Sequence, residues 1–110
     1  MRYHSEVFLV PVSQIAAIVA HSERLTITTL GDKQGGKEYV IYHRLKDLES
    51  RLDPEQFVRL SRAALVNVSA VSRIVVKQNG NNTVFLENGQ ELPMSRLQSR
   101  LLRETLLRLS

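Results

Sequence analysis

Eleven of the fifteen basic residues in this chain are arginine. A guanidinium is a planar fork of donors, and that fork fits phosphate oxygens and the O6/N7 edge of guanine. Residues that could make or break bonds are arranged less suggestively. His4, His21 and His43 have no HxxxH or HExxH spacing, so a metal site would need them to converge by folding. Ser61, Ser69, Ser72 and Ser95 stand in no G-x-S-x-G turn. Gly35-Gly36-Lys37 lacks both the spacing and the following Ser/Thr of a phosphate-cradling loop. Asp47, Glu49, Asp53 and Glu55 lie in or beside a predicted exposed helix, where carboxylates are solvated. The absence of cysteine removes disulfides, zinc ribbons, iron–sulfur sites and thiolate nucleophiles. The expectation is a protein that is no enzyme and holds neither metal nor cofactor.

The basic residues are unevenly spread. Residues 1–56 hold seven Lys/Arg against eight Asp/Glu, and residues 57–110 hold eight against three. The basic second half points to a polyanionic partner without naming one, and a merely solvated basic surface reads as well from composition.

The elements that must position these residues are mostly strands. Ile15 to Ala20 and Leu25 to Leu30 are rich in branched side chains, and His21-Ser22-Glu23-Arg24 between them reads as a hairpin loop. Glu6 to Val10 reads as an earlier strand closed by Pro11, and Glu38 to Tyr42 as a later one after a Gly-rich loop. Leu45, Leu48 and Leu52 make one helical stripe, stopped by Asp53-Pro54. Phe57 to Leu60 is a strand; Ala63 to Val66 fits turn, helix or strand. Arg73 to Lys77 and Thr83 to Leu86 flank Asn79-Gly80-Asn81-Asn82, and Asn88-Gly89 marks a second tight turn before the short strand Glu91-Leu92-Pro93. Ser95 reads as an N-cap, and Leu97, Leu101, Leu102, Leu106 and Leu109 as the apolar stripe of a terminal helix. Asn67 reads as structural, tying down a turn through its own backbone bonds. Hairpin-length connections favour antiparallel sheets over βαβ units.

A chain of 110 residues makes one domain, residues 1–110, with no room for a second. Its longest apolar run, Ile15-Ala16-Ala17-Ile18-Val19-Ala20, is far below the about 20 residues of a membrane span. No signal pattern opens the chain, and the lack of cysteine fits a reducing compartment, so a cytoplasmic protein without membrane contact is expected.

One stretch is specific: Phe57-Val58-Arg59-Leu60-Ser61-Arg62-Ala63-Ala64-Leu65-Val66-Asn67, followed by Asn88-Gly89 and by Leu92-Pro93-Met94-Ser95-Arg96. With Val71, Ile74, Gly80, Val84 and Leu86, it resembles the LytTR family, the LytR/AgrA-type DNA-binding domains of bacterial transcription regulators. That pattern runs roughly F-x-R-h-H-R-S-aromatic-h-V-N, then a hairpin ending in N-G, then h-P-V-S-R. Pro11-Val12, Ile15, Ile18 and the Leu45–Leu52 segment match its first half more loosely.

The resemblance implies an elongated stack of small, mostly antiparallel β-sheets with two short helices. It implies sequence-specific binding of double-stranded DNA in transcription regulation, with bases read in the major groove by loops. Three loops would do this: His21-Ser22-Glu23-Arg24, the loop carrying Arg62, and the loop carrying Arg96. Arg62, Arg96, Glu23 and Ser22 are then the base-contacting residues. His21, Arg24, Arg59, Ser61, Lys77, Ser95 and Arg100 are the phosphate contacts. Taken alone, Arg62 reads as a surface charge or the partner of a carboxylate, and Arg96 as a solvated helix residue. Ser61, Ala63 and Ala64 stand where the family usually has His, Ser and an aromatic, so the target sequence does not transfer. The resemblance also implies adjacent half-sites, a homodimer on DNA, and a receiver or sensor domain outside this chain.

Two other readings compete. A basic β-domain can bind RNA or single strands by stacking bases on exposed aromatics. Most aromatics here lie in strand patterns that read as core, which argues against it. A protein-interaction module would use the leucine-rich C-terminal helix.

Overall fold

The computed structural model describes residues 9–31, 36–78, 82–95 and Glu104. The Glu6–Val10 strand expectation falls largely on residues outside this set. So does the terminal helix, of which Glu104 alone is described, helical and exposed.

Among the described residues, eight strands form two antiparallel sheets. The first contains β1 (Ile15–His21), β2 (Arg24–Thr29), β3 (Glu38–Ile41), β4 (Phe57–Ser61) and β5 (Ala64–Asn67), in the order β3-β2-β1-β5-β4. The second is a meander of β6 (Val71–Val75), β7 (Asn82–Leu86) and β8 (Glu91–Met94). The expected mainly antiparallel β architecture is therefore present.

β1 is the middle strand of the five, and its run of four buried residues, Ile15 to Ile18, follows from cover on both faces. A β-bulge between Ile15 and Ala17 shifts the register against β2. Ala16 and Ala17 thereby both join the cluster that includes Val84, Leu86, Leu92 and Met94 of the second sheet. Ile15 and Ile18 join the cluster formed with Leu25, Phe57, Leu65 and Leu45 of the helix. Small residues face one layer and branched residues the other, so the five-stranded sheet is filled on both sides.

The ambiguous Ala63-Ala64-Leu65-Val66 segment is resolved by pairing: β5 lies between β1 and β4, and all four of its residues are buried. The helix α1 (Leu45–Glu49) is shorter than the Leu45–Leu52 stripe. Beyond Glu49 the chain closes tighter turns, with Arg51 N–H donating to Leu48 O and Leu52 N–H to Glu49 O. Val12–Gln14, too short to assign from sequence, forms one 3-10 turn. Asn67 is fully buried, donates to Ile15 O at 2.9 Å and accepts from Ser69 N–H at 3.0 Å, as its structural reading required. Among the described residues no helix is long and apolar enough to cross a membrane.

The aromatics depart from expectation. Phe57 is buried, but Tyr39 and Phe85 are half-buried and Tyr42 is 76% exposed. Phe85 lies across from Arg73, whose guanidinium carbon sits 4.2 Å from the ring centroid. On the middle strand β7, Phe85 alternates with the buried Val84 and Leu86, so its ring stands on the sheet face opposite the core. Tyr42 lies just past the end of β3, an edge strand.

Candidate nucleic-acid interface

β1 and β2 pair to their ends, His21 opposite Arg24, leaving a two-residue turn of Ser22 and Glu23. Ser22 adopts φ 56°, in the left-handed region, as such tight turns demand. His21, Ser22, Glu23 and Arg24 are all exposed. The expected first loop is thus a tight hairpin tip whose polar side chains face solvent.

The second turn, Arg62-Ala63, joins β4 to β5. β5 runs antiparallel to β1, with Ala64 opposite Val19, so this turn lies at the same end of the sheet as the first. It is held from two sides. Ala20 N–H donates to Ala63 O at 2.7 Å, linking it to β1. Within the turn, Ala63 N–H donates to Ser61 Oγ at 3.2 Å. Arg59 then reaches forward, its Nη1 donating to Arg62 O at 2.7 Å and Ser61 O at 3.3 Å. The Arg62 side chain is exposed.

Between the two turns opens a cleft of about 650 Å³. Ser22, Glu23, Arg59 and Arg62 line it, together with Tyr42, His43, Arg44 and Lys46 from the connection into α1. The sequence brought Ser22, Glu23, Arg59 and Arg62 forward as site residues; it did not do so for His43, Arg44 and Lys46. A usable signal existed, since His43-Arg44-x-Lys46 is a local basic run at a helix start. Each of its members is exposed and reads as ordinary solvation until the sheet folds it beside Arg62.

A second, smaller cavity of about 380 Å³ brings Ser61 together with Asn82, Thr83, Pro93, Met94 and Ser95. Ser95 N–H also reaches Leu60 O at 3.5 Å. The start of the third expected loop therefore sits beside the second. Arg96 and Arg100 lie outside the described residues. Lys77 is exposed, and its N–H donates to Oδ1 of the buried Asn82 at 3.3 Å, which places it at this same end of the second sheet. Among the described residues, no three of His, Asp and Glu gather as a metal ion would need.

These turns, the surrounding cations and the two-sheet frame can be set beside known proteins. The model of the LytTr DNA-binding domain family matches residues 5–107. The transcriptional regulatory protein BtsR of Escherichia coli K12 is 28% identical over 103 residues, covering 94% of this chain and 40% of that protein. BtsR of Salmonella typhi has the same identity and coverage. A response regulatory protein of Vibrio cholerae is 29% identical over 91 residues, covering 83% of this chain and 34% of that protein. This chain thus spans well under half the length of these relatives. Among solved structures, the LytTr DNA-binding domain of a Bacillus cereus protein superposes with a TM-score of 0.74 at 21% identity, covering 88% of this chain and 84% of that one. A family match over nearly the whole chain, joined to the same arrangement of sheets, places this protein in the LytTr family of DNA-binding domains.

Proposed function

We propose that this domain recognises a specific sequence of double-stranded DNA and that turns, not a helix, read it. The observation that carries this reading is the convergence of the Ser22-Glu23 and Arg62-Ala63 turns on one cation-lined cleft at one end of the five-stranded sheet. α1, at five residues, is too short to fill a major groove as a recognition helix. A narrow turn can enter a groove about 12 Å wide, and an exposed arginine at its tip can span guanine O6 and N7.

In this reading Arg62 and Arg96 contact bases, Arg96 following directly on Ser95 in the sequence. Ser22 and Glu23 supply the first turn's contacts, and a Glu carboxylate can accept from cytosine N4. His21, Arg24, Ser61, Lys77, Ser95 and Arg100 contact phosphates. Arg44 and Lys46, lining the same cleft, extend that set. Arg59 differs from the rest, because its guanidinium is engaged by Glu49 and by the turn carbonyls.

The wider setting is also a proposal: a cytoplasmic transcription regulator, with a receiver or sensor domain elsewhere in the protein, occupying adjacent half-sites as a dimer on DNA. The short coverage of the regulatory relatives supports a partner domain.

Exposed Tyr42 on the cleft rim favours a second reading, in which single strands or RNA stack on it. One ring does not make a platform for successive bases, so duplex binding is preferred. Selection of bound sequences from a random duplex pool tests both. A defined motif, with the selected duplex outcompeting its own single strands and the equivalent RNA, is expected. No enriched motif, or preferential retention of single strands, overturns the proposal.

A further inference from the structure

The Arg62 turn is held by a side chain that is itself held. Arg59 sends Nη1 to the carbonyls of Arg62 and Ser61, at 2.7 and 3.3 Å. Its Nε lies 3.2 Å from Oε1 of Glu49, the last residue of α1, in an ion pair that is only partly exposed. That contact is an ion pair by distance alone, since Nε is buried without a hydrogen-bond partner. The carboxylate therefore fixes where the guanidinium sits, and the guanidinium fixes two carbonyls of the turn. Just before the turn, the register of β4 against β5 slips between Arg59 and Ser61. A bulge of this kind re-aims the side chains that follow it.

We propose that Glu49 is a positioning residue for base reading, acting through Arg59 to set the direction of Arg62. The inference rests on the reading of Arg62 as a base contact. It predicts a loss of discrimination that simple electrostatics does not. Removing a carboxylate beside a DNA-binding surface raises affinity for any duplex, because phosphate repulsion falls. Removing a positioning carboxylate lowers discrimination between duplexes.

The experiment is a double-mutant cycle on the domain, using the selected duplex and a scrambled duplex of the same length. Glu49→Gln, Arg62→Ala and the double variant are compared by the ratio of the two affinities. Glu49→Gln is expected to lower that ratio about 3- to 10-fold while affinity for the scrambled duplex holds or rises. In the Arg62→Ala background the same substitution is expected to change the ratio less than about twofold, since the residue it positions is gone. Glu49→Asp, which keeps the charge, should restore part of the ratio. Without DNA, amide exchange at Arg62 and Ala63 should quicken in Glu49→Gln, with the thermal midpoint close to that of the parent. If Arg62→Ala lowers the ratio and Glu49→Gln does not, the positioning role is overturned and the reading of Arg62 stands. If Arg62→Ala leaves the ratio unchanged, the reading of Arg62 fails and the role of Glu49 in discrimination fails with it. Unchanged amide exchange in Glu49→Gln overturns the positioning role whatever the DNA measurements give.

Discussion

Thr28 Oγ1 donates to Gln90 Oε1 at 2.7 Å, joining β2 to the turn between β7 and β8. Two residues away, Asn88 Nδ2 donates to Thr29 O at 3.1 Å, and Asn88 Oδ1 accepts from Gln90 N–H at 2.9 Å. The turn can present both side chains because Gly89 takes φ 88°, a conformation that costs glycine nothing. The Asn-Gly pair was read as a hairpin signal. It is also the polar clasp between the two sheets, at the end remote from the proposed DNA-reading turns.

Gln90→Ala, which loses one side-chain hydrogen bond, is expected to destabilise the domain by about 1 kcal/mol, and Asn88→Ala, which loses two, by about 1–2 kcal/mol. Neither should alter the ratio of cognate to scrambled binding. Urea denaturation combined with the binding assay checks both statements; a loss of discrimination without a loss of stability would refute the separation of clasp from reading end.

Asn67→Ala should be costlier. The side chain is fully buried and serves Ile15 O and Ser69 N–H together, so its removal leaves a buried acceptor and a partly buried donor unsatisfied. A loss of about 2–3 kcal/mol is expected in denaturant titrations. A change below about 0.5 kcal/mol would mean that water takes over both bonds.

Gly36→Ala is expected to destabilise for a steric reason. A Cβ at this position would collide with the backbone carbonyl of Thr29, which cannot swing away as a side-chain tip could. A cost of about 1–3 kcal/mol, typical of overpacking, should appear as a lowered denaturation midpoint.

Arg62→Ala should cost about 1–3 kcal/mol on the selected duplex and relax preference at one base position. Stability should stay within about ±0.5 kcal/mol because the side chain is exposed. Equal losses on selected and scrambled duplexes would make Arg62 a phosphate contact. Arg96→Ala is expected to behave as Arg62→Ala does, and Arg100→Ala to weaken both duplexes alike.

Salt dependence should report the number of phosphates neutralised. Five contacts predict a slope of log affinity on log salt of about −4 to −5. Arg44→Ala and Lys46→Ala should each reduce that slope by about one. A flat salt response would exclude a phosphate-based interface.

Most of the frame was legible in the residues. Branched runs gave β1, β2 and β3, and Asn-Gly gave the last hairpin, because these signals are local. Ala63 to Val66 was not, since two alanines carry no strand preference of their own and the pairing with β1 and β4 decides. The α1 stripe was read too long, because its third leucine is served by tighter turns. The cleft shows the same limit. Its hairpin is legible from the branched runs on either side, whereas the DNA-contacting role expected of it and of Arg62 comes from resemblance to a known pattern. Arg44 and Lys46 do not stand out in the sequence, and the Glu49–Arg59 pair joins two elements that only the fold brings together.

The strand order β3-β2-β1-β5-β4 also governs how this chain can be built. β1 meets β2 through a two-residue turn, but its other edge waits for β5, beyond β2, β3, α1 and β4. During synthesis from the N-terminus, the most apolar strand of the sheet therefore stands with one edge unpaired until Asn67 has emerged. Pairings so distant in sequence are slow to close, and open apolar edges invite association with other chains. The Arg62 turn is tied to β1, through Ala20 N–H and Ala63 O, only when β5 docks, so closing that edge also brings the two proposed reading turns together.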